Sequence, residues 1–396
     1  MLESKLTKAF NEFFEGEKGG ILLIVCTLIS LLIANSSLND SYSGFWHYYL
    51  GGLSIEHWVN DGLMAIFFFV IGLELKREIL VGELSDKKSA MLPVFAAIGG
   101  MLVPAGIYIY LNYGTATQSG FGIPMATDIA FAIGILSLLG NRVSPSLKIL
   151  LTAIAVIDDL GAILIIAIFY TTSLSLLNLL FVLIILGILF FLNRLKINYL
   201  IIYIIGGIAM WYFMLHSGVH STLAGILLAF VIPFGNGEKQ SFAIRIEHWL
   251  HKPVSLIILP VFALANTAIV FAEGWDTGLS THASAGILAG LVIGKPLGVF
   301  LFSFIAVSVG VTTLPADLKW KHVLGIGFLA GIGFTMSIFI TLLAYQDATL
   351  ITETKISVLL ASLTSGVLGF VWLRHTLKSN GNSINGQLER AEQKQF

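Results

Sequence analysis

The sequence carries little charge, and this shortage excludes most soluble folds. Lys, Arg, Asp and Glu together make up 11% of the 396 residues, whereas hydrophobic residues make up 56%. A soluble domain carries about 25% charged residues, so a chain with this composition lacks the polar surface that water contact demands. The mean hydropathy of +0.89 agrees. The composition therefore predicts a polytopic membrane protein.

The sequence also has only one cysteine and almost no net charge. The single cysteine, Cys26, cannot form an intrachain disulfide, and no Cys/His cluster indicates a zinc site. A formal net charge of −1 gives no reason to expect a nucleic-acid partner. The first 18 residues mix Lys and Glu and match a secretory signal poorly, so the apolar run that follows is interpreted as a retained span.

Long apolar runs are what the sequence has in abundance. A spanning helix needs about 20 mostly apolar residues, and twelve segments fit this description. They are 19–35, 58–80, 91–110, 121–139, 147–170, 176–192, 199–215, 219–233, 254–272, 285–309, 322–344 and 356–373. The sequence thus predicts an all-α polytopic fold of about 12 transmembrane helices in contact with the lipid bilayer.

Lysine and arginine alternate between the loops in agreement with these spans. Of the 22 Lys and Arg residues, 20 fall at the chain ends or in every second loop, the exceptions being Lys295 and Lys355. Because cytoplasmic loops are enriched in these residues, both termini are predicted to be cytoplasmic. We expect one membrane domain over 1–378 and a disordered tail over 379–396. The outer loop 36–57 is expected to form a small hairpin.

Four ionisable residues lie deep inside predicted spans. They are Asp158 and Asp159 in "LLTAIAVIDDLGAILIIAIFY", Asp128 in "GFGIPMATDIAFAIG" and Lys295 in "LAGLVIGKPLGVF". A charge at the bilayer centre costs about 2.5–3.5 kcal/mol, so these groups must face one another or a cavity. One interpretation is a structural ion-pair network. However, three Asp against one Lys leave two negative charges in excess, which favours a site for mobile cations.

The adjacent aspartates cannot both point the same way. Neighbouring helix positions differ by about 100°, so we hypothesise that one carboxylate reaches toward Lys295 while the other faces the cavity. Carboxylate oxygens and the hydroxyl of Thr127 suit hard cations such as Na⁺ or Li⁺. The candidate site needs no resident cofactor, only transported ions.

Two of the predicted spans, the fourth and the eleventh, are rich in glycine. The fourth has Gly120, Gly122 and Pro124, and the eleventh, "GIGFLAGIGFTMS", has four glycines. Such stretches fit close helix packing or interrupted helices. Each is the middle of a triplet, spans 3–5 and 10–12, and the loop charges give the triplets opposite orientation. Paired interruptions in inverted repeats predict an ion site at the membrane midplane.

The motifs resemble those of the NhaA family of bacterial Na⁺/H⁺ antiporters, over nearly the whole chain. The matching segments are "GLELKREILVGEL", "PMATDIAFAIGIL", "LLTAIAVIDDLGAI", "SGVHSTLAG", "ILPVFALANTAI", "GKPLGVF" and "GFLAGIGFTMSIFI". The resemblance implies that spans 4 and 11 cross as unwound chains. It also implies a bacterial inner-membrane protein that exports Na⁺ or Li⁺ for about two H⁺, activated at alkaline pH.

The same resemblance implies roles for individual residues. Asp159 becomes the main cation ligand with Asp158 as its partner, Thr127 contributes an oxygen, and Asp128 and Lys295 compensate charge at the crossing. The residues implied in the pH response are Glu74, Arg77, Glu78, His220 and Glu247. From the residues alone, the first three equally fit a solvated helix end, and His220 fits a packing histidine. The family also implies a homodimer through the hairpin at 43–55.

Other functions fit the sequence less well. A symporter of small solutes is the main alternative, but it needs a larger polar pocket with basic groups. An intramembrane enzyme is disfavoured: an aspartyl protease needs carboxylates on separate helices, and "DDLGA" lacks the second acidic cluster of a prenyltransferase. A passive channel would not build a pH gradient from Na⁺. The sequence therefore predicts a transporter and not an enzyme.

Overall fold

The computed structural model describes residues 19–171, 174–235, 241–271 and 277–377, and these are largely helical. The predicted tail lies outside the described residues. The α-helices are α1 Gly19–Ala34, α2 Asn39–His47, α3 Ile55–His57, α4 Met64–Val81, α5 Lys87–Leu111, α6 Ile129–Ser137, α7 Pro145–Phe169, α8 Leu176–Arg194, α9 Leu200–Leu215, α10 Leu223–Val231, α11 Phe242–Pro253, α12 Leu259–Asn266, α13 His282–Ala289, α14 Lys295–Ser308, α15 Trp320–Ala330, α16 Phe334–Ala344 and α17 Ala348–Thr376.

Short helices of other types connect or interrupt them. The 3₁₀-helices are Glu83–Ser85, Gln118–Met125, Gly140–Arg142 and Thr277–Ser280, and the π-helical turns are Trp58–Leu63, Val254–Ile258 and Gly290–Gly294. All three π-turns join consecutive α-helices without a gap: α3 with α4, α11 with α12, and α13 with α14. Such π-turns are often found at functional sites, and the last of them leads directly into Lys295.

The predicted all-α polytopic membrane fold is confirmed, although the number of spans is not. Each of the twelve predicted segments contains helix. In the part of the chain that the structure describes, seven helical stretches, the broken fourth span among them, are long and apolar enough to cross a membrane. Two bent pairs raise the number to nine: α1 with α2 at 115°, and α15 with α16 at 49°. The shorter α9 and α10 cover the seventh and eighth predicted segments. Twelve crossings therefore stay a prediction.

Both glycine-rich spans are interrupted, as the sequence predicts. In the fourth span, the 3₁₀-helix Gln118–Met125 and α6 are separated by residues 126–128, which run extended. In the eleventh, α15 ends before residues 331–333 and α16 follows. Glycine has low helix propensity, and proline removes a backbone donor, so both sequences favour a break. The breaks touch, because the Asp128 N–H donates to the Ile332 carbonyl at 2.6 Å.

The predicted hairpin is present in the loop after α2. Strand β1, Tyr49–Leu50, pairs antiparallel with β2, Leu53–Ser54, in the register Tyr49↔Ser54 and Leu50↔Leu53. Gly51 and Gly52 form the two-residue turn with φ of 64° and 90°, values that glycine adopts without strain. Tyr49 and Leu50 are 71% and 61% exposed, so the hairpin offers an apolar edge.

Close packing of α5 on α14 brings Lys295 into the centre of the protein. A methyl group added at Gly298 would overlap the carbonyl oxygen of Gly99, and one added at Gly99 would overlap that of Gly298. Small residues of this kind let two membrane helices approach closely. The Lys295 stem passes beside Gly100, where an added Cβ would lie 3.6 Å from Lys295 Cε. The glycines therefore make room for a fully buried lysine.

Candidate functional site

Of the two adjacent aspartates, Asp158 is the one that contacts Lys295 at the helix crossing. Lys295 Nζ lies 2.6 Å from Asp158 Oδ2, and both side chains are 0% exposed. Asp158 projects from the middle of α7, and Lys295 begins α14 after the π-turn. The ammonium group also donates to the carbonyl of Met125, the last residue of the 3₁₀-helix. One lysine thus joins α7, α14 and the broken fourth span.

Thr127 connects the same carboxylate to the other broken span. Its hydroxyl lies 2.7 Å from Asp158 Oδ2 and 2.8 Å from the carbonyl oxygen of Ala330, the last residue of α15. A hydroxyl has one proton, so it donates to one of these acceptors at a time. Because the residues around Thr127 run extended, its backbone and side chain are free of helical hydrogen bonding and can serve the site.

Asp128 binds the start of both second half-helices. It is the N-cap of α6, where Oδ1 accepts from the Phe131 N–H at 3.0 Å. Its other oxygen, Oδ2, accepts from the N–H and the hydroxyl of Thr335, in the first turn of α16, at 3.1 and 2.5 Å. Helix N-termini carry partial positive charge, so one carboxylate compensates two of them.

Asp159 stands apart from these pairs. It is 1% exposed, and within the described ranges no Lys or Arg nitrogen lies within 4.0 Å of it. Among the described residues its Oδ1 has no hydrogen-bond partner, and neither has Oδ1 of Asp158. A buried acceptor without a donor is costly, and such oxygens are what a bound proton or a hard cation would satisfy. The residues therefore fit a cation site.

In the part of the chain that the structure describes, no three His, Cys, Asp or Glu side chains are grouped so as to hold a metal ion. The charged side chains acting on Asp159 are Asp158, Asp128, Glu74 and Lys295. Asp158 is paired to Lys295 and Asp128 is held by helix N-termini, so Asp159 is the one of these three carboxylates without a cationic or helix-terminal partner among the described residues.

Four of the five residues implied in the pH response come together around Arg77. Its guanidinium lies 2.9 Å from Glu247, 2.7 Å from Glu78 and 3.8 Å from Glu74. Three acids share one arginine, so the cluster carries excess negative charge when all are ionised. Oε2 of Glu247 is buried and has no hydrogen-bond partner in the described part of the chain. This cluster is more than a solvated helix end, because it binds α4 to α11.

His220 does not join that cluster. It interacts instead with the carboxylate of Asp61 and with the backbone of Tyr170. Asp61 in turn accepts from the hydroxyl of Ser221 at 2.6 Å. The structure therefore places His220 in a separate polar group, and its part in a pH response stays a prediction.

Several groups at the crossing were not assigned a role from the sequence. Thr335 bonds Asp128, and the Ser337 hydroxyl donates to the Ile123 carbonyl at 2.7 Å. The Phe334 N–H donates to the hydroxyl of Ser362 at 3.1 Å. A Thr and a Ser directly after a glycine-rich break were the only sequence signal for the first two. The carbonyls of Met125 and Ala330 leave no signal, because every residue has one.

The family model and the related proteins that match this chain are all described as Na⁺/H⁺ antiporters. Residues 11–373 match the family described as Na⁺/H⁺ antiporter 1. The chain is 61% identical to the Na(+)/H(+) antiporter NhaA of Flavobacterium psychrophilum, over 95% of this chain and 98% of the relative. It is 58% identical to the protein of that name from Cytophaga hutchinsonii, over 94% and 97% of the two chains. The Vibrio cholerae protein is 46% identical, over 94% and 99%.

A solved structure also resembles the fold. The sodium proton antiporter MjNhaP1 from Methanocaldococcus jannaschii matches with a TM-score of 0.52, over 94% of this chain and 99% of that chain. The two sequences are 17% identical, so the likeness concerns the fold alone. It agrees with an all-helical multi-pass membrane protein.

Proposed function

The chain belongs to the Na⁺/H⁺ antiporter 1 family, and from this membership we propose that it exports Na⁺ or Li⁺ in exchange for protons across a bacterial inner membrane. Membership agrees with the resemblance seen in the motifs. One structural observation supports the proposal independently of family membership. Of two adjacent buried carboxylates, Asp158 is paired with Lys295, whereas Asp159 has no cationic partner among the described residues.

Exchange follows from competition for the same oxygens. A buried carboxylate in a medium of low dielectric constant favours the neutral form, and a bound cation favours the ionised form. Asp159 therefore holds either a proton or Na⁺. Na⁺ also competes with Lys295 for Asp158, so its binding releases protons from the site. Alternating access would then carry the loaded site from one face to the other as one repeat moves against its partner.

Each cycle moves charge. If one Na⁺ leaves and about two protons enter, one net positive charge moves inward. An inside-negative potential favours this by about 2.3 kcal/mol per 100 mV. The proposed function is therefore electrogenic, and sodium export would be driven by both the proton gradient and the membrane potential.

Reconstituted vesicles provide the test. A Na⁺ gradient is expected to drive proton movement in the opposite direction, and a potassium diffusion potential of 100 mV, negative on the side that receives protons, is expected to accelerate it. Liposomes without protein are the control. Proton movement that ignores the imposed potential would contradict the electrogenic exchange, and Na⁺ uptake without any proton movement would contradict antiport altogether.

We propose that the Arg77 cluster makes transport depend on pH. At acid pH the carboxyl groups of the cluster and of the ion site hold protons, and Na⁺ cannot displace them. At alkaline pH these groups ionise, and transport is activated. Arg77→Gln removes the charge that favours the ionised carboxylates, so the pH of half-maximal activity should rise by about one unit, which corresponds to about 1.4 kcal/mol. The measurement is Na⁺-driven proton flux between pH 6 and 9.

The matched control is Arg142→Gln, because Arg142 also lies at a helix end and is exposed. An unchanged pH profile in Arg77→Gln, with the protein folded, would remove the cluster from the pH response. His220→Gln tests the polar group of His220 and Asp61 independently of the Arg77 cluster. It should leave the half-activation pH in place if the Arg77 cluster alone responds.

The alternative, symport of a small solute, has less support. The base expected to bind such a solute, Lys295, is occupied by Asp158 and the Met125 carbonyl. We also propose that two copies associate through the hairpin, whose exposed apolar edge at Tyr49 and Leu50 suits β-strand pairing between chains.

A further inference from the structure

A buried group of tyrosines lies at the end of the crossing away from the lysine-rich loops. We name Tyr108, Tyr170 and Tyr345 the tyrosine cap. Tyr108 lies near the end of α5, Tyr170 follows α7, and Tyr345 follows α16. They are 0%, 7% and 5% exposed. Two triplets of helices thus contribute to one cluster, and neither the motifs nor the proposed function uses it.

The hydroxyls of the tyrosine cap bind the beginning of the broken fourth span. The Tyr108 and Tyr345 oxygens are 2.5 Å apart, and each lies 3.0 Å from the carbonyl oxygen of Thr117. Each hydroxyl has one proton, so one tyrosine donates to the other, which donates to Thr117. Tyr170 donates to the carbonyl of Ser119 at 2.7 Å. These carbonyls flank the start of the 3₁₀-helix Gln118–Met125.

The residues around the tyrosine cap are closely packed. A Cβ added at Gly120 would overlap the Tyr345 hydroxyl and lie 2.6 Å from that of Tyr108. The Thr117 hydroxyl donates to Asn112 Oδ1 at 2.6 Å, and Asn112 Nδ2 donates to the His282 carbonyl, in α13, at 3.0 Å. The outer half of the fourth span is therefore held by three neighbouring spans at once.

Along each of three elements, a buried isoleucine lies between the tyrosine cap and the residues of the ion site. Ile123, Ile166 and Ile340 are 0%, 1% and 0% exposed. Tyr170 is eleven positions beyond Asp159, which places the cap about 16 Å along the helix axis at about 1.5 Å per residue. A hydrated ion cannot pass fully buried isoleucines that lie beneath hydrogen-bonded tyrosines. The site is thus closed toward this membrane face.

We propose that the tyrosine cap is the gate on the face opposite the lysine-rich loops, and that its hydrogen bonds break when Asp159 is exposed there. Tyr108 and Tyr345 act through the 3₁₀-helix, so they are positioning residues. The inference rests on the alternating access of the proposed function. Loss of one hydroxyl removes a hydrogen bond present only in the closed state, which should favour the open state about threefold to tenfold.

Cysteine labelling tests the gate. In a Cys26→Ala background, Ile123→Cys places a reporter among the buried isoleucines beneath the cap. A membrane-impermeant maleimide added on the capped face should label Tyr345→Phe about three to ten times faster than the parent. Tyr110→Phe is the matched control, because Tyr110 lies near the end of α5, as Tyr108 does, and is 82% exposed. It should label at the parent rate.

Equal labelling of the Tyr345→Phe and Tyr110→Phe proteins would overturn the gate. A lower thermal stability of Tyr345→Phe with unchanged labelling would likewise show a structural role only. If Tyr345→Phe does not fold, Tyr108→Phe removes the other hydroxyl of the pair and carries the same expectation. Labelling needs no transport, so a failure of the gate is distinguishable from a failure of Na⁺/H⁺ exchange.

Discussion

Asp159→Asn is expected to lower Na⁺ affinity about a thousandfold and to reduce Na⁺-driven proton flux to the level of empty liposomes. The amide keeps the size of the side chain but removes the charge and the titratable proton. Two unit charges about 4 Å apart interact by about 4 kcal/mol at an effective dielectric constant near 20, and each 1.4 kcal/mol is a factor of ten. The measurement pairs calorimetric Na⁺ titration with vesicle flux.

Asp40→Asn is the matched control, because Asp40 is an exposed acid in the first turn of α2. It should leave both affinity and flux unchanged. The thermal stability of Asp159→Asn should not fall, since the amide removes an unpaired buried carboxylate. An Asp159→Asn protein that still binds Na⁺ with wild-type affinity would exclude Asp159 as the main ligand.

Lys295→Gln is expected to destabilise the protein by about 3–5 kcal/mol, the usual cost of removing one partner from a buried ion pair. The glutamine leaves Asp158 with an uncompensated charge and weakens the anchor on the Met125 carbonyl. Thermal unfolding in detergent micelles measures the loss. Transport should fall with it, because the lysine joins α7, α14 and the broken fourth span.

The double variant Asp158→Asn/Lys295→Gln separates charge from packing. Two amides can hydrogen-bond to each other, and replacing a buried ion pair with neutral groups is often nearly neutral for stability. Most of the lost stability should therefore return in the double variant. If the double variant is as unstable as Lys295→Gln alone, the ion pair is not what stabilises the crossing.

The sequence predicted those features that depend on composition and spacing. Apolar runs and alternating lysines located the helices, and glycines and Pro124 located both breaks. A contact between Lys295 and one of the two adjacent aspartates followed from charge, because a lysine buried in a membrane requires an acidic partner. Charge alone did not say which aspartate it would be, and the structure shows Asp158. Asp159 has an oxygen without a hydrogen-bond partner among the described residues, and its exposure to a cavity stays a prediction.

Features that depend on backbone geometry could not be predicted from the sequence. The Met125 carbonyl accepts from Lys295, the Ala330 carbonyl accepts from Thr127, and the Thr117 carbonyl accepts from the tyrosine cap. Because every residue has a carbonyl, the sequence does not show which ones take part. The π-turns leading into α12 and α14 have no composition signal. Tyrosine at a helix end is common at membrane interfaces, so burial of Tyr108 and Tyr345 could not be told from an interfacial position.

Competition between Na⁺ and protons is best judged by calorimetric Na⁺ binding to the wild-type protein across a series of pH values, in buffers of different ionisation enthalpy. Competition predicts that apparent Na⁺ affinity falls steadily as the pH is lowered and that each bound Na⁺ releases protons to the buffer. Na⁺ affinity independent of pH, with no proton release, would contradict a shared carboxylate site.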